Sequence, residues 1–97
     1  MKFEVLIEPR AIIDINTIAA YYEEQQINLG FRFTEELESV LSTLELNPYF
    51  QIRYTKYRFL PLKKFPFIIV FKVNEKVGIV SVYSVFHTSQ NPKKLPK

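Results

Sequence analysis

The stretch of residues 63–73 limits the fold more than any other part of this chain. From Phe67 to Phe71 it is continuously apolar, and Val73 extends the run past a single lysine. β-Branched and aromatic residues of this kind suit a pleated, well-buried strand. Pro66 fits the first residue of a strand, where a missing N–H costs little. Lys63 and Lys64 stand just before it, so the pattern predicts a central strand of one sheet with cations at its entrance.

The chain around this strand has 97 residues, which allows one domain over 1–97 and not two. A domain of that size buries roughly 65% of its unfolded surface, enough for a core without staples. There is no cysteine, so disulfides and thiolate metal sites are excluded, in keeping with a reducing cytoplasm. One histidine, His87, argues against a metal centre, and two glycines exclude Gly-rich phosphate loops. No cofactor is expected. No apolar run reaches the ~18 residues of a membrane span, and the start does not read as a signal peptide, so no membrane partner is expected.

Charge divides the chain sharply. Residues 1–48 carry three cations against nine carboxylates, whereas residues 49–97 carry ten cations against Glu75 alone. Such asymmetry points to nucleic acid or another acidic partner. The plainer reading is that strand-rich segments use lysine for solubility and edge protection.

Taken in order, Phe3, Val5 and Ile7 alternate with Glu4, Leu6 and Glu8 and predict a first strand. Pro9 ends it and opens a helix of about 18 residues, with Ile15, Ile18, Ala19 and Tyr22 as its apolar stripe. Asp14, Glu23 and Glu24 lie off that stripe and are expected to face water. Gly30 suits the left-handed position after a helix end. A second stripe follows in Phe33, Leu37, Val40, Leu41 and Leu44, and Asn47-Pro48 stops it. Two helices so closely joined form an antiparallel hairpin. Residues 53–60 read as one strand, with Tyr57 and Phe59 on one face and Lys56 and Arg58 on the other. The opening stretch is the third strand, 74–76 a turn, and 77–86 a fourth strand in which Gly78 marks a bulge or a close approach. The expected fold is α+β in the order β-α-α-β-β-β, an N-terminal helical hairpin packed on an antiparallel sheet.

With that layout in place, several motifs resemble the RelE/ParE superfamily, the toxins of bacterial toxin–antitoxin pairs. They are Tyr21-Tyr22, Leu29-Gly30-Phe31-Arg32-Phe33, Leu37, Pro48, Tyr57-Arg58, the run over 64–73, and Val85-Phe86-His87-Thr88-Ser89-Gln90-Asn91-Pro92. The resemblance implies a growth-inhibiting toxin of the plasmid-stabilisation kind, neutralised by a cognate antitoxin protein. One branch cleaves mRNA in the ribosomal A site; the other, ParE-like, binds DNA gyrase without hydrolysing anything. Cleavage requires a group to activate the ribose 2′-OH, cations for the developing phosphorane charge and an acid for the leaving oxygen.

The cleaving branch has lysines on the second strand, an arginine early in the third, and basic residues with a tyrosine after the fourth. Here the third-strand position is Ile68, Gln90 stands where many relatives have arginine, and no tyrosine follows Tyr83. The resemblance therefore favours the ParE-like branch. The alternatives are a ribosome-dependent mRNA endoribonuclease and a small basic nucleic-acid-binding domain. If the chain is a ribonuclease, Lys56, Arg58 and His87 are its catalytic candidates, since an imidazole titrates near the working pH. Arg58, Lys63, Lys64, His87, Gln90, Lys93 and Lys94 are the candidates for binding a target or nucleic acid. Against these stand plainer roles: His87 capping a strand edge, Arg58 paired internally, Lys63 and Lys64 solvated, and Lys93 and Lys94 in a disordered tail. Tyr21 and Tyr22 are expected at the rim and core of the helix–sheet interface.

Overall fold

The protein was analysed as a computed structural model that describes residues 2–50 and 52–89, with residues 52–54 followed through their backbone. Strand β1 (Glu4–Ile7) leads into α1 (Pro9–Gln25) and α2 (Leu29–Leu44). Four further strands follow: β2 (Ile52–Tyr54), β3 (Tyr57–Pro61), β4 (Phe67–Asn74) and β5 (Ile79–His87). They form one sheet in the order β1-β5-β4-β3-β2, so the apolar run is its middle strand. Ile69, Val70 and Phe71 are fully buried, as a strand covered on both faces requires.

Both helices arise where the apolar stripes place them. Phe33, Leu37, Leu41 and Leu44 of α2 are buried, as are Ala11 and Ile18 of α1. They pack with Ile69, Phe71, Val80, Val82 and Val85 from one face of the sheet. Tyr22 joins this core through Phe33, Phe65 and Phe67, with ring centroids 5.0 to 6.2 Å away, while Tyr21 is exposed. The order β-α-α-β-β-β holds for the main elements, but three details differ from the sequence reading.

First, the sheet is mixed. β1 runs parallel to β5, with Glu4 opposite Ile79 and Ile7 opposite Val82. The two helices act as the crossover that a parallel pair needs. Second, the expected strand over 53–60 is a tight hairpin, β2 and β3, turning at Thr55 and Lys56. Third, the left-handed residue between the helices is Asn28 (φ 70°), whereas Gly30 lies inside α2. Gly30 is there for closeness: a Cβ would sit 2.4 Å from the carbonyl oxygen of Ala19. Gly78 does adopt a positive φ of 70°, in the turn ahead of β5, and the irregularity between β4 and β5 falls instead at Val70/Phe71, beside Tyr83.

Two carboxylates expected in water are structural. Glu23 accepts hydrogen bonds from Asn28 N (2.9 Å) and Gly30 N (3.1 Å), capping α2 from the preceding helix. Asp14 accepts from Ser84 Oγ (2.9 Å) and Val85 N (3.1 Å). β1 ends opposite Val82, so beyond that point the outer edge of β5 is closed by α1 and its Asp14.

Candidate functional site

The sequence-predicted residues fall in four separate places. Lys56 lies in the β2–β3 turn and is exposed. Arg58 sits opposite Phe71 in the β3–β4 register, so it shares the helix-facing side of the sheet. There its Nη1 donates to the carbonyl of Phe50 at 2.6 Å, and its guanidinium lies 5.4 Å from the Tyr49 ring centroid. The Tyr49 pKa is raised, by desolvation first and then by the Glu75 carboxylate, while Arg58 acts in the opposite direction. Arg58 therefore ties the segment after α2 to the sheet.

His87 ends β5 opposite Phe67, with the two rings edge to face at 5.3 Å. Its Nδ1 lies 2.8 Å from Ser89 Oγ and accepts from Ser89 N at 3.1 Å. Arg58 pairs with Phe71 and His87 with Phe67, four residues apart along β4, or about 13 Å along the strand. Lys56, Arg58 and His87 are therefore not gathered around one phosphate. Gln90, Lys93 and Lys94 lie outside the described residues.

Lys63 and Lys64 occupy the β3–β4 loop, where both backbone N–H groups donate to Glu36 Oε2, at 2.8 and 3.0 Å. That carboxylate fixes the loop against α2. Beside it opens a groove of about 1080 Å³ whose apolar floor includes Leu29, Val40, Phe50, Leu60 and Phe65. Arg32, Lys63 and Lys64 also line it.

The sheet face turned away from the helices carries a second cluster, of which the sequence reading placed only Tyr57 and Phe59 on a common face. Tyr57, Val70 and Phe86 are buried in it, with Phe59, Ile68 and Tyr83 packed around them. The Phe59 and Phe86 rings meet edge to face at 5.7 Å, and those of Tyr57 and Tyr83 are 5.2 Å apart. Lys72 Nζ lies 5.4 Å from the Tyr57 ring centroid and 5.7 Å from that of Tyr83. From α1, the Arg10 guanidinium reaches the Tyr83 ring at 5.4 Å. The Tyr57 phenol is held above its ordinary value of 10.0, by burial first and then by neighbouring Tyr83; Arg10 acts in the opposite direction. The available signal for this cluster was Lys72, the one cation inside the apolar run. Arg10 was not foreseeable, because its approach depends on where β1 stops.

Among the described residues, no group of three or more His, Cys, Asp or Glu is placed to hold a metal ion. No helix among them is long and apolar enough to cross a membrane.

A mixed sheet with a helical hairpin on one face is the architecture of the small toxins of toxin–antitoxin systems, and comparison with known proteins agrees. The solved structure of the chromosomal ParDE toxin–antitoxin system from P. aeruginosa matches with a TM-score of 0.75 at 14% identity, covering 89% of this chain and 96% of that one. The RelBE2 toxin–antitoxin complex from Mycobacterium tuberculosis matches with a TM-score of 0.58 at 12% identity, covering 90% and 99%. An E. coli RelE toxin in the free state matches with a TM-score of 0.52 at 15% identity, covering 92% and 86%. At these identities the likeness is one of fold. No curated protein sequence matches. The family described as the ParE toxin of the type II toxin–antitoxin system parDE matches over residues 5–92. The chain belongs to that family, and so to the RelE/ParE superfamily of type II toxins.

Proposed function

We propose that this toxin arrests growth by binding an essential target, with DNA gyrase as that target, and not by cutting RNA. It would act in the cytoplasm, be held silent by a cognate antitoxin, and so serve plasmid stabilisation. The observation that carries this reading is the open face of the sheet. Where several strand-borne cations are needed to stabilise a phosphorane, that face carries Phe59 and Ile68 around buried Val70 and Phe86, and Lys72 is its one described strand-borne cation. Arg58 points to the other side and is spent on Phe50 and Tyr49, and Lys56 is in a turn. A face of packed aromatic and aliphatic side chains suits a protein partner better than a scissile phosphate.

The antitoxin, in this reading, lays an amphipathic segment into the groove between α2 and the β3–β4 loop. The apolar floor accepts its hydrophobic anchors, and Arg32, Lys63 and Lys64 meet its carboxylates. β2, at the end of the sheet, offers a second place for strand addition.

The test is a supercoiling assay with purified protein. Supercoiling by gyrase should stop at micromolar toxin, and the cognate antitoxin should restore it; no inhibition at that concentration defeats the gyrase reading. In parallel, primer extension on mRNA after induction should show no cleavage. Cleavage that disappears in His87→Ala would make the chain a ribosome-dependent endoribonuclease instead.

A further inference from the structure

We propose that Arg10, Lys72 and Tyr83, with Tyr57 behind them, form a binding site for a phosphate group on the open face of the sheet. The site goes beyond the proposed target, and it uses none of the residues offered above as catalytic or target-binding.

Three elements bring it together. Lys72 follows Phe71 in β4, so alternation along the strand turns it to the open face. Tyr83 lies where the β4–β5 register shifts, with Val70 opposite Ser84 and Phe71 opposite Val82, so Tyr83 is the extra residue. Bulges of this kind re-aim a side chain, and this one places Tyr83 with Tyr57 and not in the helix-facing core. Arg10 comes from the first turn of α1, held close because Glu8 N donates to Val82 O at 2.9 Å. Since β1 has already ended opposite Val82, the arginine passes the sheet edge and reaches the Tyr83 ring.

The chemistry of the cluster is one-sided. Arg10 and Lys72 are hydrogen-bond donors only. The Tyr83 phenol, against whose ring both cations lie, brings a hydroxyl that can donate as well. Among the described residues neither Arg10 nor Lys72 forms an ion pair. The Tyr57 and Tyr83 rings hold the two cations in place through their π faces and contribute no negative charge. Two positive charges and a hydroxyl donor with no carboxylate partner select an anion. The donors come from a helix and two strands and so approach a ligand from different elements, which favours a phosphate with its several oxygens over a flat carboxylate.

The experiment is an NMR titration of the full chain with inorganic phosphate, following the Arg10 Nε–H, the Lys72 side chain and the Tyr83 ring. Saturable shifts confined to these groups are expected. Lys72→Gln should weaken binding by about tenfold, and Tyr83→Phe by a few-fold. Lys72→Arg should retain it, which separates loss of charge from loss of fold; unchanged thermal unfolding of Lys72→Gln serves the same purpose. Adenosine monophosphate and a short single-stranded oligonucleotide then identify the source. Tighter, salt-dependent binding of the oligonucleotide assigns the site to a polynucleotide backbone, and equal affinities assign it to a small phosphate. Equal shifts with acetate, or equal shifts at Lys63 and Lys64 with phosphate, would overturn the proposal.

Discussion

The carboxylate of Glu23 and the backbone N–H of Gly30 are hydrogen-bonded across the helical turn at 3.1 Å, while the second Glu23 oxygen takes the N–H of Asn28 at 2.9 Å. α2 has no side-chain cap of its own, because its capping residue Asn28 is in the left-handed region. The preceding helix supplies the acceptor instead, and the two helices approach so closely that position 30 has no room for a side chain. Gly30→Ala should therefore cost on the order of 3 kcal/mol, since the obstructing atom is the backbone oxygen of Ala19 and cannot swing away. Glu23→Ala should cost about 1 kcal/mol through the lost cap. Urea denaturation of the two variants measures both, and a smaller loss for Gly30→Ala than for Glu23→Ala would refute the close-approach argument.

Asp14 is expected to guard the sheet edge. Asp14→Ala leaves Val85 N–H and Ser84 Oγ without their acceptor, so a loss of about 1–3 kcal/mol should follow. Hydrogen exchange at the Val85 amide reports this directly and should accelerate far more than at Ile69 in the central strand. The freed edge also invites strand pairing between molecules, so concentration-dependent aggregation should rise.

These two cases mark where the sequence was legible and where it was not. Periodicity exposes a residue's face only when burial is decided by its own element. The Phe33–Leu44 stripe and the Ile69–Phe71 core are such cases, and both lie where the pattern puts them. Asp14 and Glu23 lie off the α1 stripe and read as solvated, yet each is held by backbone groups of another element. The parallel β1–β5 pairing joins residues more than seventy positions apart and leaves no local trace. The β2–β3 hairpin escaped notice for a different reason: its left-handed residue is Thr55 (φ 51°), a β-branched side chain in a conformation that usually marks glycine or asparagine. Splitting that strand displaced Lys56 into a turn. Arg58 kept the side opposite Tyr57 and Phe59, which proved to be the side under the helices.

Arg58 offers a test that separates anchoring from activity. Its bond to Phe50 O is charge-assisted and partly buried, so Arg58→Ala should cost about 2 kcal/mol and release the segment at Tyr49 and Phe50. Arg58→Lys should recover only part of this, because an ammonium lacks the planar fork of the guanidinium that both donates to Phe50 O and lies against Tyr49. Toxicity measured by growth after induction should follow stability across these variants. A fully stable Arg58 variant without toxicity would instead place this residue in target binding.

Alkaline pH should expose the buried phenols. The Tyr57 phenol is raised above 10.0 by burial and by Tyr83, and that of Tyr22 by burial and then Tyr21. Each proton is thus held more tightly in the folded chain than in the unfolded one. Below the unfolded pKa both states are protonated, so the stability is fully present. Above it the unfolded chain ionises first, and stability falls as pH rises from 10.0 through the folded pKa values. The midpoint of urea unfolding should therefore be lower at about pH 11 than at about pH 9, and Tyr57→Phe should flatten part of that fall because no proton remains to be lost at position 57. Tyr22→Phe should flatten it independently, since Tyr22 packs among Phe33, Phe65 and Phe67 in the helix-facing core, away from the Tyr57 cluster. A pH profile of Tyr57→Phe parallel to that of the unsubstituted chain would mean that position 57 does not govern the alkaline transition.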